Sequence, residues 1–378
     1  MAGILARRGF GALKSSGGRA ESGLPLDMPL LTAILMLLSL SLVVIYSAGG
    51  ESTALLTRQS FRIGFALCLM LFFSRVSPMS LMRWSPYVYG LGLLLLFIVL
   101  GFGIIGKGAQ RWIDIGVFRF QPAEIMKLGV PMMVAWVMTR STLPPRLPYL
   151  IVCVCIVLLP TVLVVLQPDL GTAILIASTG VIVIFLAGIS WKLIAAVGLA
   201  LGAVAPLLWF FVLHPYQQRR ILTLFDPWAD PLGAGYHTIQ SIIAIGSGGV
   251  RGKGWLAGTQ SQLEFIPERS TDFIFAVYAE EFGLVGVLVL LCLYLFLVLR
   301  GLMIAFYAHD TYSRLLAGAL SVTFFFYVFV NIGMVSGILP VVGVPLPLIS
   351  YGGTSMVTLM IGFGMLMSIH NSKKTLAR

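Results

Sequence analysis

The strongest constraint in this sequence is a series of apolar stretches that are too long and too numerous for the core of a soluble protein. A helix needs about 20 apolar residues to cross the hydrocarbon core of a bilayer. Ten stretches approach or exceed that length, and they lie at 29–48, 60–77, 86–105, 123–139, 148–166, 171–188, 191–213, 272–299, 316–339 and 355–370. The sequence therefore predicts an all-α polytopic membrane protein with about ten transmembrane helices. Charged residues make up only 10% of the chain, against about one quarter in soluble domains.

The distribution of Lys and Arg predicts the orientation in the membrane. With the N-terminus inside, the inner segments hold 14 of these residues and the short outer loops hold five, namely Arg58, Arg62, Lys107, Arg111 and Arg119. Positive charge concentrates on the cytoplasmic side of membrane proteins, so we expect both termini to be cytoplasmic. The predicted organisation is a flexible tail over 1–28, one membrane domain over 29–370 with a large outer loop at 214–271, and a short tail over 371–378.

The charge and the cysteine and histidine content exclude several classes of function. The net charge of +11 follows from the inside bias and from attraction to anionic lipid headgroups, so it does not indicate a nucleic-acid partner. All four cysteines lie inside apolar stretches, and the four histidines show no ligand spacing. We therefore expect neither a disulfide nor a metal cluster.

The large outer loop contains two patterns of interest. Residues 236–246 have the composition of a short amphipathic helix at the membrane surface, and the glycine-rich stretch GSGGVRGKG follows at 246–254. This stretch fails the Walker pattern because Ser247 occupies a required glycine position. Its backbone N–H groups, with Arg251 and Lys253, could cradle a pyrophosphate; the alternative is a plain flexible turn.

Carboxylates are rare, and several gather at the outer mouth of one apolar stretch. Asp272 lies at the start of the stretch 272–299, where it is either a first-turn acid complementing the helix dipole or a functional group at the rim of a wet cavity. On a regular helix Glu280 would lie about 80° around the axis from Asp272, as a supporting group. Glu281 would point away, toward another helix or the interface.

Two further motifs place polar residues in or beside apolar stretches. Glu124 and Lys127 are three residues apart on one helix face, and because an unpaired charge in the membrane is costly, we expect a structural ion pair. Asp169, in QPDLGT at 167–172, follows a proline. It is placed to cap the next helix, to contact a ligand, or to do both.

The last outer loop, at 337–355, is too rich in proline and glycine to form a regular helix. At membrane depth such a segment must be buried in protein or line a cavity. Its end, SYGGTS, allows the backbone to approach a ligand closely, and the alternative is a tight turn into the last span.

Taken together, these segments resemble the SEDS family (shape, elongation, division and sporulation) of cell-wall polymerases, and its elongation branch in particular. The resemblance covers about 30–370 and is carried by KGAQRWIDIGVFRFQPAEIMKLG (107–129), QPDLGT (167–172), the segment 230–269, TDFIFAVYAEEFGLVG (271–286) and VSGILPVVGVPLPLISYGGTS (335–355). It implies a ten-helix glycosyltransferase of the bacterial inner membrane, with its active site facing the periplasm. Such an enzyme polymerises lipid II into glycan strands, releases undecaprenyl diphosphate and acts with a class B penicillin-binding protein.

The resemblance also implies roles for individual residues. Asp272 matches the family's essential aspartate, proposed to deprotonate the acceptor hydroxyl, and Glu124 and Lys127 match its intramembrane ion pair. Relatives commonly carry His where this sequence has Ser270. The predicted substrate contacts are Lys107, Arg111, Gln167, Asp169, Arg251, Lys253, Gln260, Ser350 and Tyr351. A divalent cation could assist the diphosphate, without a firm protein site. The alternatives are a flippase for lipid-linked precursors and a non-catalytic scaffold.

Overall fold

The computed structural model describes residues 26–106, 109–114, 119–211, 218, 222–224, 226–231, 233, 235–263, 265–266 and 268–376. In chain order the long helices are α1 (Met28–Ala48), α2 (Thr53–Ser74), α3 (Pro78–Phe102), α4 (Ala123–Met138), α5 (Leu147–Val165), α6 (Leu170–Leu186) and α7 (Trp191–Phe211). After two short helices, α8 (Tyr236–Ser247) and α9 (Thr259–Gln262), come α10 (Ile274–Phe306), α11 (Thr311–Val335) and α12 (Thr354–Leu376).

The predicted all-α polytopic architecture is confirmed. Each of the ten predicted apolar stretches overlaps one long helix, from α1 to α7 and from α10 to α12. Within the described residues, α1, α2, α3, α5, α10 and α11 are long and apolar enough to cross a membrane, and α6 is apolar but shorter, at 17 residues. The last helix continues to Leu376, so most of the predicted tail 371–378 is helical. The predicted tail 1–28 lies mostly outside the described residues.

Side-chain caps explain where several of these helices begin. Ser52 and Ser77 accept hydrogen bonds from the N–H groups of Leu55 (3.4 Å) and Ser80 (3.2 Å), which satisfies donors that have no partner inside the helix. As a result α2 and α3 begin before the predicted positions 60 and 86. A cap that lies outside the apolar run is invisible to a search for hydrophobicity alone.

A small antiparallel ribbon between α3 and α4 was not predicted. It consists of β1 (Ile104–Gly106), β2 (Ala109–Asp114) and β3 (Arg119–Phe120), in the order β1-β2-β3. Ile113 pairs with Phe120 and Asp114 with Arg119. The ribbon begins at the end of the predicted stretch 86–105 and continues into the segment that follows it, and it fixes the position of Arg111 on β2.

The large loop is partly helical. The predicted amphipathic helix at 236–246 is present as α8, and Ser241 on its buried face donates a hydrogen bond to the carbonyl of Val335 at 2.7 Å. A short 3₁₀ turn, Pro227–Ala229, precedes α8. The loop is therefore attached to the end of α11.

The expectation of a regular helix through 272–299 is wrong at two points. Asp272 precedes α10, whose N-cap is Phe273, and Gly283 interrupts α10 with φ 62° and ψ −165°. Because Asp272 lies outside the helix that carries Glu280, angles counted around that helix do not relate the two residues. The interruption has a cause in the loop that docks there, described below.

At the opposite end of the bundle, one carboxylate joins three long helices. Asp27, the N-cap of α1, accepts hydrogen bonds from Arg300 of α10 (2.7 Å to Nη2) and from the Leu30 N–H (3.1 Å), and His370 of α12 lies 3.6 Å away. Burial raises the pKa of Asp27. The hydrogen bonds from Arg300 and Leu30 and the charges of His370 and Arg300 outweigh this effect, so the pKa lies below the usual carboxyl value.

We expect Asp27→Asn to lower the free energy of unfolding by about 2 kcal/mol at pH 7. A depressed carboxyl pKa stabilises the fold above the unfolded pKa, near 4, and this stabilisation is lost as the pH falls through the folded value. The wild type should therefore lose its advantage over the variant below about pH 4. Thermal unfolding in detergent across pH 7 to 3 measures this. Asp310→Asn, which alters the α11 cap at Ser313, is the matched control and should cost less.

Candidate active site

Asp272 lies in a turn that other segments hold through its backbone. Asn331 of α11 donates a hydrogen bond from Nδ2 to the Asp272 carbonyl at 2.9 Å and to the Val344 carbonyl at 2.6 Å. Oδ2 of Asp272 lies 3.4 Å from the point where a Cβ on Gly343 would stand. Asn331 therefore fixes both the acidic turn and the loop 337–353 that passes over it.

Ser350 and Tyr351, both predicted to contact substrate, clamp the same turn. The Ser350 hydroxyl donates to the Thr271 carbonyl at 2.6 Å and accepts from the Leu346 N–H at 2.7 Å. The Tyr351 N–H donates to the carbonyl of Ser270 at 2.8 Å. Ser350 is buried, so its observed contacts are those of a residue that positions Asp272. Its contact with substrate remains a prediction.

Asp169 forms a second polar centre that touches the same loop. Oδ1 caps α6 by accepting from the Thr172 N–H at 3.2 Å, and Oδ2 accepts from Arg111 and from Gln121, each at 3.0 Å. A Cβ on the neighbouring Gly171 would overlap the carbonyl of Val342. Since residue 343 lies beside Asp272, the two acidic motifs meet consecutive residues of one loop.

The remaining predicted contacts are spread more widely. Gln167 is buried and donates from Nε2 to the carbonyl of Leu96 at 3.3 Å. Arg251 is exposed, and Lys107 lies outside the described residues. Nε of Arg111 is buried without a hydrogen-bond partner among the described residues. The structure therefore brings together Asp272, Ser350 and Tyr351, and joins Arg111 to Asp169.

The glycine-rich segment 246–254 docks into the interruption of α10. Four backbone hydrogen bonds of 2.9–3.1 Å join them: Lys253 N–H to Glu280 O, Gly254 N–H to Glu281 O, Leu284 N–H to Gly249 O and Val285 N–H to Val250 O. A Cβ at Gly283 would overlap the nitrogen of Gly252. The docked segment thus satisfies helix carbonyls and N–H groups that the break leaves unpaired, and it is not a free turn.

The Glu280 carboxylate anchors this docked segment. It is fully buried and accepts from Lys253 (2.7 Å), the Gln260 N–H (3.0 Å) and the Thr259 hydroxyl (3.2 Å). The Lys253 ammonium is therefore already paired with a carboxylate. Glu281 is also buried and accepts from the Ser47 hydroxyl of α1, which agrees with the expectation that it faces another helix.

We expect Glu280→Gln to destabilise the protein by about 2 kcal/mol. This loss is smaller than that for breaking a fully buried ion pair, because a quarter of the Lys253 side chain is exposed. Amide hydrogen exchange of 248–263 should accelerate. Adding Lys253→Met should restore part of the loss, since it removes the uncompensated cation. Glu51→Gln, an exposed carboxylate, is the control. Equal exchange rates in Glu280→Gln and wild type would contradict the anchoring role.

The predicted ion pair of α4 is present in the structure. Nζ of Lys127 lies 2.7 Å from Oε1 of Glu124, both side chains are about 6% exposed, and Nζ lies 5.3 Å from the ring centre of Tyr327 on α11. The pair therefore braces α4 against α11. In the described part of the chain, no group of three or more His, Cys, Asp and Glu side chains could hold a metal ion.

Sequence analysis missed Asn331 and Gln121. Asn331 carried a usable signal, because a buried polar residue inside an apolar span usually has a structural or functional partner. Gln121 lies in the QPAEIMKLG motif, but its partner, Asp169, is 48 residues away. Such a pairing cannot be derived from spacing along the chain.

The fold and the site define a polytopic helical membrane protein in which a loop rich in proline and glycine clamps an acidic turn at the mouth of an interrupted helix. The chain belongs to the FtsW/RodA/SpoVE family, described as a cell cycle protein family, whose model matches residues 25–375. This is the SEDS family that the sequence motifs indicated.

Individual relatives cover almost the whole chain. The chain is 54% identical over 353 residues to the peptidoglycan glycosyltransferase MrdB of Escherichia coli strain K12, covering 93% of this chain and 95% of that protein. It is 34% identical over 346 residues to the probable peptidoglycan glycosyltransferase FtsW of Aliivibrio salmonicida, covering 90% and 86%. The difference in identity favours the elongation branch over the division branch, as the sequence motifs predicted.

Solved structures confirm the fold. One, described as the structural coordination of polymerization and crosslinking by a peptidoglycan synthase complex, has a chain that matches with a TM-score of 0.81 and 34% identity, covering 92% of this chain and 98% of that chain. The rod shape determining protein RodA of Thermus thermophilus matches with a TM-score of 0.71 and 29% identity, covering 92% and 97%.

Proposed function

We propose that the protein is a peptidoglycan glycosyltransferase that joins lipid II units into glycan strands during cell elongation and releases undecaprenyl diphosphate. The observation that carries this function is the 54% identity to the glycosyltransferase MrdB over 93% of the chain. Asp272 is the proposed general base. Its clamped position suits this role, because a general base must be held in a fixed geometry beside the hydroxyl that it deprotonates.

In the proposed reaction, the acceptor sugar hydroxyl attacks the anomeric carbon of the donor, and Asp272 takes the hydroxyl proton. The bond between the anomeric carbon and the diphosphate oxygen breaks, and its electron pair leaves with the diphosphate. Contacts from Asn331, Ser350 and Tyr351 to the backbone of the Asp272 turn hold the base in place without using its carboxylate.

Cations should stabilise the charge that develops on the departing diphosphate. Of the four predicted cations, Arg111 and Lys253 are paired with Asp169 and Glu280, so both are positioned but partly neutralised. Arg251 is exposed and remains a proposed contact, as does Lys107. A divalent cation, if the reaction uses one, would be carried by the phosphate oxygens of the substrate.

We further propose that the protein lies in the bacterial inner membrane with Asp272 facing the periplasm and both termini in the cytoplasm. Its proposed partner is a class B penicillin-binding protein, which would cross-link the strands. The match to a chain from a structure described as a peptidoglycan synthase complex that coordinates polymerization and crosslinking supports such an assembly.

The test is polymerisation of purified lipid II by the full chain in liposomes, with the partner present and its transpeptidase blocked by a β-lactam. Glycan strands that muramidase digests are the expected product, and parallel reactions with Mg²⁺ or with a chelator test the cation. Transfer of labelled lipid II across the bilayer without any glycan product would instead identify a flippase. Neither product nor transfer, with partner binding intact, would identify a scaffold.

A further inference from the structure

One cation near the Asp272 turn has no role in the reaction described so far. Arg62 lies in the third turn of α2, and its guanidinium carbon is 4.3 Å from the ring centre of Tyr351. It forms no ion pair or hydrogen bond within the described part of the chain. A charged residue in a membrane span is costly and is usually retained for a ligand or a pathway.

The same loop holds Arg62 and Asp272 in one region. The ring of Tyr351 lies against Arg62. The backbone N–H of Tyr351 donates a hydrogen bond to the carbonyl of Ser270, two residues before Asp272. Nε of Arg62 is 3.5 Å from the point where a Cβ on Gly353 would stand. Because residue 353 has no side chain, the guanidinium is uncovered on the side that faces the end of the loop.

The N-terminus of α12 begins at this point and adds further positive potential. This helix has 23 residues, and the N–H groups of Thr354, Ser355 and Met356 have no acceptor among the described residues. Free N–H groups at a helix start attract anions. The preceding Gly352 has nothing within 4 Å of its Cβ position, so an anion can approach the backbone.

A buried amide points into the same place. Gln59, one turn before Arg62, is fully buried, its Oε1 has no hydrogen-bond partner among the described residues, and its Nε2 has only Sδ of Met356 at 4.0 Å. Nε2 therefore already offers a donor toward the first turn of α12, where its acceptor among the described residues is a weak one, a thioether sulfur. A buried polar group without a strong partner calls for a missing one.

We propose that Arg62, the first turn of α12 and Gln59 bind the diphosphate of a polyprenyl diphosphate lipid, and that Arg62 contacts the leaving group of the transfer. This proposal rests on the proposed function and names a binding residue of the same site. Phe61 and Phe65, exposed on α2 beside Arg62, provide apolar surface along which the lipid tail would run. A lipid-borne diphosphate therefore fits the site better than a free phosphate.

The test is direct binding of farnesyl diphosphate to the full chain in nanodiscs, without turnover. Arg62→Gln should weaken binding by about tenfold or more, because a charge-assisted hydrogen bond is lost. Arg62→Lys should retain part of the affinity, and Tyr351→Leu should bind more weakly. Arg75→Gln, at the exposed far end of α2, removes the same charge and should have no effect.

Three outcomes decide the proposal. Wild-type affinity in a folded Arg62→Gln protein would overturn the site. Equal affinity of the wild type for inorganic pyrophosphate and farnesyl diphosphate would overturn the assignment to a lipid. Loss of binding in Arg62→Gln, with binding kept in Arg62→Lys, supports the site. This result would support the site even if the wild type made no glycan. Failure of the proposed function and failure of this site are therefore distinguishable.

Discussion

Asp272→Asn should abolish glycan synthesis, lowering the rate of lipid II polymerisation by about 10²–10⁴-fold or more, while the protein remains folded. Asn has the same shape as Asp, so it fits beside Gly343, but it cannot accept the proton of the acceptor hydroxyl. The contacts that hold the turn reach the backbone carbonyls of 270, 271 and 272 and are kept. The rate is measured from gel-resolved glycan, and the fold from thermal unfolding.

The control for this prediction is another carboxylate of the large loop. Asp226 caps the 3₁₀ turn through the Trp228 N–H at 3.1 Å and is exposed, and Asn preserves that acceptor. Asp226→Asn should polymerise at the wild-type rate. Full activity of Asp272→Asn with the partner present would show that another group removes the proton, and Asp272 would then be a structural residue of the turn.

Local and long-range features differ in how far the sequence predicts them. The ten long helices follow from apolar length, and the Glu124–Lys127 contact follows from a spacing of three on one helix. The role of Asp169 as a cap follows from its place after Pro168. Each of these depends on residues close together in the chain, where geometry is fixed by the helix itself.

The interrupted helix shows why the rest was not predicted. TDFIFAVYAEEFGLVGVLVL is apolar enough to continue as one helix, and Gly283 alone gives no reason for a break. The break exists because a segment about 30 residues earlier supplies the backbone partners that replace the lost helical ones. For the same reason the sequence offered Lys253 as a ligand for phosphate, whereas the structure pairs it with Glu280.

Gly283→Ala should destabilise the protein by about 3 kcal/mol or more and slow polymerisation. Alanine is strained at a φ of 62°, and its Cβ would overlap the Gly252 nitrogen, so α10 and the segment 249–254 cannot both keep their positions. The expected signature is a lower thermal midpoint and faster amide exchange across that segment. Because the Lys253–Glu280 pair depends on the docked segment, the protection from amide exchange that this pair gives should be lost as well.

Gly64→Ala in α2 is the matched control for this change. It adds the same methyl group to a glycine of a long helix, at a position with nothing within 4 Å of the Cβ, and should be neutral or stabilising by up to about 1 kcal/mol. A Gly283→Ala protein with the midpoint and the exchange pattern of wild type would mean that the segment 249–254 is not docked in solution. The helix would then be continuous through Gly283, as the apolar pattern of the sequence predicts.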